Sequence, residues 1–495
     1  DRGRDEGTVF QSVFTFLPHS GIEEGAPPME LSNPIAGARV SRAAQAREWI
    51  KRPRVVFALA SAAVLLAAAA VLLAVLLWKG GAVGFTCESP FSIDGAVAVQ
   101  QKGLAVDDST FRSCPGKIPA EWPNAEAKVA SIRLFKAWDS SWPADSREDT
   151  WRAVVDFAES NGAKVLLGTQ ITCSEADDDA DWANVLQLLK MLGPDHVMGV
   201  AIGNELELLQ FKDKKIAPAS CIKDIWEGGY LLRKFDEHVR DLDRLGGFGS
   251  VPLTSAFGGA IMAAQPFWNT PTARVLDFFQ KVIGKYGSRW VYSLNIYPYF
   301  DPSNQMDPGS TDSCSQALGR SQCWNDPNAC LFPGIVKSMR DRMKAVSSTN
   351  NVLWITETGW SSPMSDTLKD KPTHSCKAFS DQDSFQKYYA GFLRWDMQIQ
   401  GSQGPDHVFY FTIRDSTNFG SKEFFGLVPD CAAAQCKLQK PNSGPGPSPS
   451  PSPTPGPAPL PGPAACSAYE KCKGLKGNCC PTDAGTRLWC CPTAG

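Results

Sequence analysis

Between about residue 84 and residue 440 the chain repeats one pattern: a short apolar run, a longer amphipathic stretch, then another short apolar run. A switch of apolar period between strand and helix, repeated in this way, marks βα units that pair their strands in parallel. The clearest unit opens at Ser131-Ile132-Arg133-Leu134-Phe135, read as a strand. Asp145 or Ser146 then caps a helix whose Trp151, Val154, Val155 and Ala158 share one face, and Gly162 stops it. A strand over 164–171 follows, then a helix from Trp182 to Leu192 ended by Gly193-Pro194. Further strands are expected near 198, 252, 291, 352 and 408, with Phe85 and Thr86 opening the set. Helices fit at Arg274 to Tyr286, Gly334 to Val346 and Ser384 to Ile399. Eight units at this spacing predict an α/β fold, a TIM (β/α)8 barrel with its reactive face at the carboxyl ends of the strands.

Two of these strands end in glutamate. Val197 to Ile202 runs into Gly203-Asn204-Glu205, and Asn351 to Thr356 runs into Glu357-Thr358-Gly359-Trp360. On the strand count Glu205 ends strand four and Glu357 ends strand seven. One glutamate at a strand end is ordinarily a salt-bridged residue. Two in matching contexts, with aromatics beside them, are what a retaining glycosidase uses: one carboxyl protonates the leaving oxygen and the other attacks the sugar carbon. Five scattered histidines (19, 196, 238, 374, 407) offer no metal-ligand spacing, and no strand-to-helix phosphate loop occurs, so neither metal nor cofactor is expected. With 49 Lys+Arg against 52 Asp+Glu there is no electrostatic footprint for nucleic acid.

The ends of the chain read differently. Residues 1–54 lack a sustained period and are expected to form a cytoplasmic tail without fixed structure. Val55 to Trp78 is a run of 24 uncharged residues, longer than the ~20 that span a bilayer as a helix. A cleaved signal peptide is the rival reading, but its apolar core is only ~7–15 residues long. Arg42, Arg47, Lys51, Arg52 and Arg54 precede the run and Lys79 alone follows it, so the N-terminus is expected in the cytoplasm and the remainder outside. All 16 cysteines lie beyond the run, which fits disulfides in an oxidising compartment. The expectation is a single-pass type II membrane protein. No Asn-x-Ser/Thr acceptor is present for N-glycosylation. Residues 301–331 carry Cys314, Cys323 and Cys330 with little periodicity and read as a disulfide-braced loop after strand six. Residues 441–463 are a Pro/Ser-rich linker, and 464–495 form a small module with six cysteines, read as disulfides in one of 15 connectivities.

The motifs resemble glycoside hydrolase family 17, the β-1,3-glucanase family of the retaining barrel clan. Asn204-Glu205 is similar to the Asn-Glu pair after that family's strand four, and Glu357-Thr358-Gly359-Trp360 to its string after strand seven. Asn295-Ile296-Tyr297-Pro298-Tyr299-Phe300 resembles its Asn-x-Tyr-Pro-Tyr-Phe segment, and Phe425-Gly426-Leu427 its closing segment. The resemblance covers about residues 84–430. The chain departs where Ser361-Ser362 precede Pro363, and where Lys422 or Glu423 stands in place of the closing acid.

The resemblance implies Glu205 as acid/base and Glu357 as nucleophile, with Tyr297 hydrogen-bonding the nucleophile and Asn204 holding the sugar 2-hydroxyl. It further suggests Trp360, Tyr299 and Trp138 as stacking platforms for glucosyl rings, and Asp415 and Lys422 as members of a polar network near the nucleophile. The implied partner is a β-glucan polysaccharide or oligosaccharide. Hydrolysis and transglycosylation would share one covalent intermediate. A non-catalytic glucan-binding protein is the reading from another class, and the intact glutamate pair argues against it.

Overall fold

Eight short strands pair in parallel, each with the next in sequence, and the eighth returns to the first, so the sheet has no edge. They are β1 (Lys102–Val106), β2 (Ser131–Leu134), β3 (Lys164–Thr169), β4 (Val197–Asn204), β5 (Leu253–Phe257), β6 (Tyr292–Asn295), β7 (Leu353–Thr358) and β8 (His407–Phe411). The architecture is a (β/α)8 barrel. This computed structural model describes residues 92–211, 217–270, 272–300, 314–362, 376–416, 424–432 and 436–438. The expected tail, the apolar run Val55 to Trp78, the linker and the Cys-rich module all lie outside those residues. The chain divides into one unit over Asp1–Lys440 and another over Pro441–Gly495. Among the described residues no helix is long and apolar enough to cross a membrane.

The helices are α1 (Asp108–Ser113), α2 (Arg147–Asn161), α3 (Glu175–Leu192), α4 (Ala219–Trp226), α5 (Tyr230–Arg244), α6 (Val275–Tyr286), α7 (Cys314–Ser321), α8 (Leu331–Val346) and α9 (Gln382–Arg394). In α2 the face carrying Trp151, Val154 and Ala158 is buried, and Gly162 ends the helix in the left-handed conformation that a glycine adopts without steric cost. Ser146 stands at its N-cap, but its hydroxyl donates to Pro143 O instead of capping. The helix α3 begins seven residues before Trp182, because Ser174 accepts from Asp177 N and opens it there.

Seven strands lie where the apolar runs placed them. The first does not. It is Lys102–Val106, whereas Phe85 and Thr86 fall outside the described residues. A lysine at its start and Asp107-Asp108 after it disguise this strand as surface. Lys102 is nevertheless fully buried, and its ammonium donates to Val97 O (2.6 Å), Leu393 O (2.9 Å) and Trp395 O (2.6 Å). Leu393 lies in the last turn of α9, so this cation meets carbonyls that the helix leaves unpaired. Burial lowers the Lys102 pKa to about 7.

Disulfides join Cys114–Cys431, Cys173–Cys221, Cys314–Cys376 and Cys323–Cys330, and Cys436 is also disulfide-bonded. No described cysteine is free. The segment after β6 is therefore braced twice, once within itself and once to the chain after β7. It also contains α7, a helix where the sequence shows little period.

Two histidines are buried without charge. His407, at the start of β8, shares a 2.7 Å hydrogen bond with Ser131 Oγ, and His238 of α5 stacks on Trp182 of α3 with ring centres 4.1 Å apart. Burial depresses both to about pKa 3. Their stabilising contribution is complete above the unfolded-state pKa of about 6.5 and is lost as pH falls toward 3, with a slope of about 1.4 kcal/mol per pH unit for each. His407→Gln removes one share. The drop in urea-unfolding free energy from pH 7 to pH 5 is therefore expected to be smaller in the variant than in the wild type.

Candidate active site

The chain leaves β4 through two residues of positive φ, Gly203 at +80° and Glu205 at +51°. A side chain at 203 would meet Leu206 Cδ1 at 2.8 Å, so glycine alone fits. Glu205 has no such freedom, and its left-handed backbone costs of the order of 1 kcal/mol. Its amide donates to Ala256 O (2.8 Å) at the end of β5, which helps to hold this conformation. On the other side of the barrel the β6–β7 register shifts by one residue, so that Asn295 pairs with Glu357. Both glutamates are 7% exposed.

Asn295 joins them. Its Nδ2 donates to Glu205 Oε1 (3.0 Å) and to Glu357 Oε1 (2.9 Å). Two contacts to one nitrogen keep the two carboxylate oxygens within about 6 Å of each other, and Asn204 Oδ1 stands 3.4 Å from the same nitrogen. The orientation of the amide is set by donors on its other side: Thr356 Oγ1 (2.7 Å) and Arg133 (3.4 Å) both give to Asn295 Oδ1. An arginine has no acceptor, so the carbonyl oxygen must face it.

Arg133 of β2 carries the largest share of the contacts. One nitrogen donates to Glu357 Oε1 (2.8 Å) and Thr356 O (2.9 Å), and the other to Asn204 Oδ1 (2.7 Å). Its guanidinium carbon lies 4.4 Å from the ring centre of Phe135. A buried charge on a barrel strand is costly unless paired, and here the pair is Glu357. Tyr297 completes the set by donating to Glu357 Oε2 (2.6 Å). The result is a carboxylate with three donors, Arg133, Asn295 and Tyr297, one of which it shares with a second carboxyl.

Other residues singled out in the sequence fall elsewhere. Trp360 is fully buried: its indole donates to Phe379 O (2.7 Å) and stacks on the Phe379 ring 5.2 Å away. Tyr299 is equally buried, edge-on to Trp360 at 5.4 Å, with its hydroxyl 3.2 Å from Ser380 Oγ. Trp138 is packed edge-on against Trp142 at 5.1 Å. These three side chains pack into the core, and none presents an open face for a sugar. Asp415 pairs with Lys437, whose ammonium also donates to Ser362 O (3.1 Å) and Phe424 O (3.0 Å). Lys422 lies outside the described residues. Arg133 and Asn295 were not singled out from the sequence for the site. Their signal was a charged and an amide side chain inside otherwise apolar strands. Lys437 carried no comparable signal.

No family model matches the chain, and no curated protein does. Solved structures do. One is CJP38, a β-1,3-glucanase and allergen of Cryptomeria japonica pollen, with a TM-score of 0.44 and 14% identity over 72% of this chain and 99% of that one. A plant β-glucan endohydrolase aligns with a TM-score of 0.42 and 15% identity, covering 66% and 95%. An active-site mutant of Rhizomucor miehei β-1,3-glucanosyltransferase in complex with laminaritriose aligns at 0.34 and 13%, covering 62% and 84%. These values assign no family to the chain.

Burial pushes the Asp415 carboxyl up to about pKa 6 and the Lys437 ammonium down, against the attraction between them. Removing one partner strands the other charge. Lys437→Ala is expected to destabilise the protein by about 3–5 kcal/mol, and adding Asp415→Ala to recover much of that loss, as measured in a double-mutant cycle by urea unfolding.

Proposed function

We propose that the chain is a retaining β-glucan hydrolase in which Glu205 is the acid/base and Glu357 the nucleophile. The observation that carries this reading is the amide of Asn295 donating to both carboxyls, which keeps their oxygens within about 6 Å. Double displacement needs carboxyl groups about 5–5.5 Å apart, whereas inversion needs about 6.5–9.5 Å to admit a water. The donors divide the roles. Glu357 takes charge-assisted bonds from Arg133 and a tyrosyl hydroxyl, a set suited to an ionised acceptor. Glu205 takes the Asn295 amide, a neutral donor, which suits the group that gives up and regains a proton.

In the first step Glu357 Oε attacks the anomeric carbon while Glu205 passes its proton to the leaving glycosidic oxygen. In the second, Glu205 takes a proton from water as that water displaces the carboxylate, returning both groups to their starting states. On this reading Asn204, which accepts from Arg133, meets the sugar 2-hydroxyl. The substrate class, β-1,3-glucan, rests on the resemblance of the 204–205, 295–300 and 357–360 segments. An extracytoplasmic location and a membrane anchor at Val55 to Trp78 belong to the same proposal. The disulfides support an oxidising compartment.

Removing each glutamate separates the roles. On β-1,3-glucan, Glu205→Ala is expected to lose about 10²–10⁴-fold in turnover. On a dinitrophenyl glycoside, whose leaving group needs no proton, it should retain the initial burst of phenolate. Glu357→Ala should lose both. A burst surviving in Glu357→Ala, or lost in folded Glu205→Ala, would overturn the assignment.

A further inference from the structure

Beyond Arg133 the chain runs outward from β2 through Phe135 and Lys136 into a turn over 139–142 that carries a half-buried tryptophan. The turn is tightly made. Trp142 N donates to Asp139 O (3.0 Å), and Asp139 Oδ1 accepts from Ser141 N (3.0 Å) and Ser141 Oγ (2.6 Å). An aspartate that bonds the backbone two residues on is a favoured way to fix such a turn. Its other oxygen accepts from Lys136 Nζ at 2.8 Å, and Lys136 also reaches Asp108 (3.6 Å) and Gln170 Oε1 (3.5 Å). Burial alone would raise the Asp139 carboxyl, but Lys136 and Ser141 hold it at about pKa 2. Trp142 is therefore mounted on a hydrogen-bonded, charge-anchored turn.

Its ring is supported as well. Trp138 and Phe111 pack edge-on against it at 5.1 and 6.3 Å, and the Arg112 guanidinium and Lys136 ammonium stand 5.8 and 5.7 Å from its centre. Arg112 is exposed in the last turn of α1 and has no hydrogen-bond or ion-pair partner among the described residues. Beneath, the Trp138 indole N–H and Asp108 Oδ1 are buried with no hydrogen-bond partner. A half-buried indole beside a fork of donors without hydrogen-bond partners and an ionised acceptor is the equipment that recognises a pyranose. The site lies on the same face as the glutamate pair, because α1 and the turn follow the carboxyl ends of β1 and β2. Lys136 is three residues past Arg133, about 10 Å at the strand rise.

We propose that Trp142, Arg112 and Asp139 form a sugar-binding subsite for a glucosyl unit of the same β-glucan chain, set back from the scissile bond. This rests on the hydrolase reading for its ligand. The subsite makes affinity depend on chain length, and it costs little ordering on binding because the turn is already fixed. Trp142 is half-buried where Trp138 and Trp360 are buried, and it is the stacking ring of the proposed subsite.

The test uses the full chain carrying Glu357→Ala, titrated calorimetrically with β-1,3-linked gluco-oligosaccharides of increasing length. Affinity is expected to step up once the chain is long enough to reach Trp142. Adding Trp142→Ala should remove that step, about tenfold in Kd, and Trp142→Phe should restore it. A purely structural role for Trp142 predicts a lower melting temperature with the step intact, and that result overturns the proposal. So does the absence of any oligosaccharide binding by the folded Glu357→Ala chain. If the unmutated chain turns over no glucan while binding still depends on Trp142, the hydrolase reading falls and the subsite stands.

Discussion

One side-chain amide determines how the site is arranged. Asn295 Nδ2 donates to both Glu205 and Glu357, and the separation of two groups brought in by opposite parts of the barrel follows from that contact. The amide can do this only because its carbonyl oxygen is committed to Thr356 and Arg133. Arg133 in turn holds Glu357 and Asn204 with its two terminal nitrogens. The arrangement is thus a chain of obligate donors and acceptors in which each rotamer fixes the next. Arg133, Asn204, Asn295, Thr356 and Glu357 sit on strands and Glu205 directly follows one, so the precision comes from the sheet.

The barrel's contribution is to bring these strands into register. Closure puts β2, β4, β6 and β7 around one axis with their carboxyl ends on one face. The register shift between β6 and β7 aligns Asn295 with Glu357, and the left-handed turn at Glu205 directs the other carboxyl. Elsewhere, buried charges serve as fasteners. Lys102 ties β1 to the end of α9, and Lys437 ties the chain near Leu427 to the segment after β7. Each is acceptable in the interior because carbonyls or a carboxylate surround it.

Much of this is legible in the sequence, and the failures share a cause. Strands β2 to β8 are apolar runs with turn residues beside them, so pattern finds them. The strand β1 begins with a lysine and ends at two aspartates, and pattern cannot tell that the lysine folds inward onto carbonyls. The glutamates stand out because a carboxylate closing an apolar strand has few bland explanations. Arg133 and Asn295 sit within strands, where polarity reads as noise until a partner from another strand is seen. Trp360 and Tyr299 fail in the opposite sense: an aromatic after a strand can face the cleft or turn back into the core. The Phe379 ring and carbonyl that draw Trp360 inward lie 19 residues away. Lys437 is 22 residues from Asp415, beyond the reach of any local signal.

The most direct test of the account is the anomeric configuration of the first product, followed by proton NMR in the minutes before mutarotation. The proposed double displacement between carboxyl groups bridged by one amide predicts retention, with the β-anomer first and the α-anomer only as it equilibrates. If the α-anomer appears first, a water has attacked directly, and the proposed roles of Glu205 and Glu357 are contradicted.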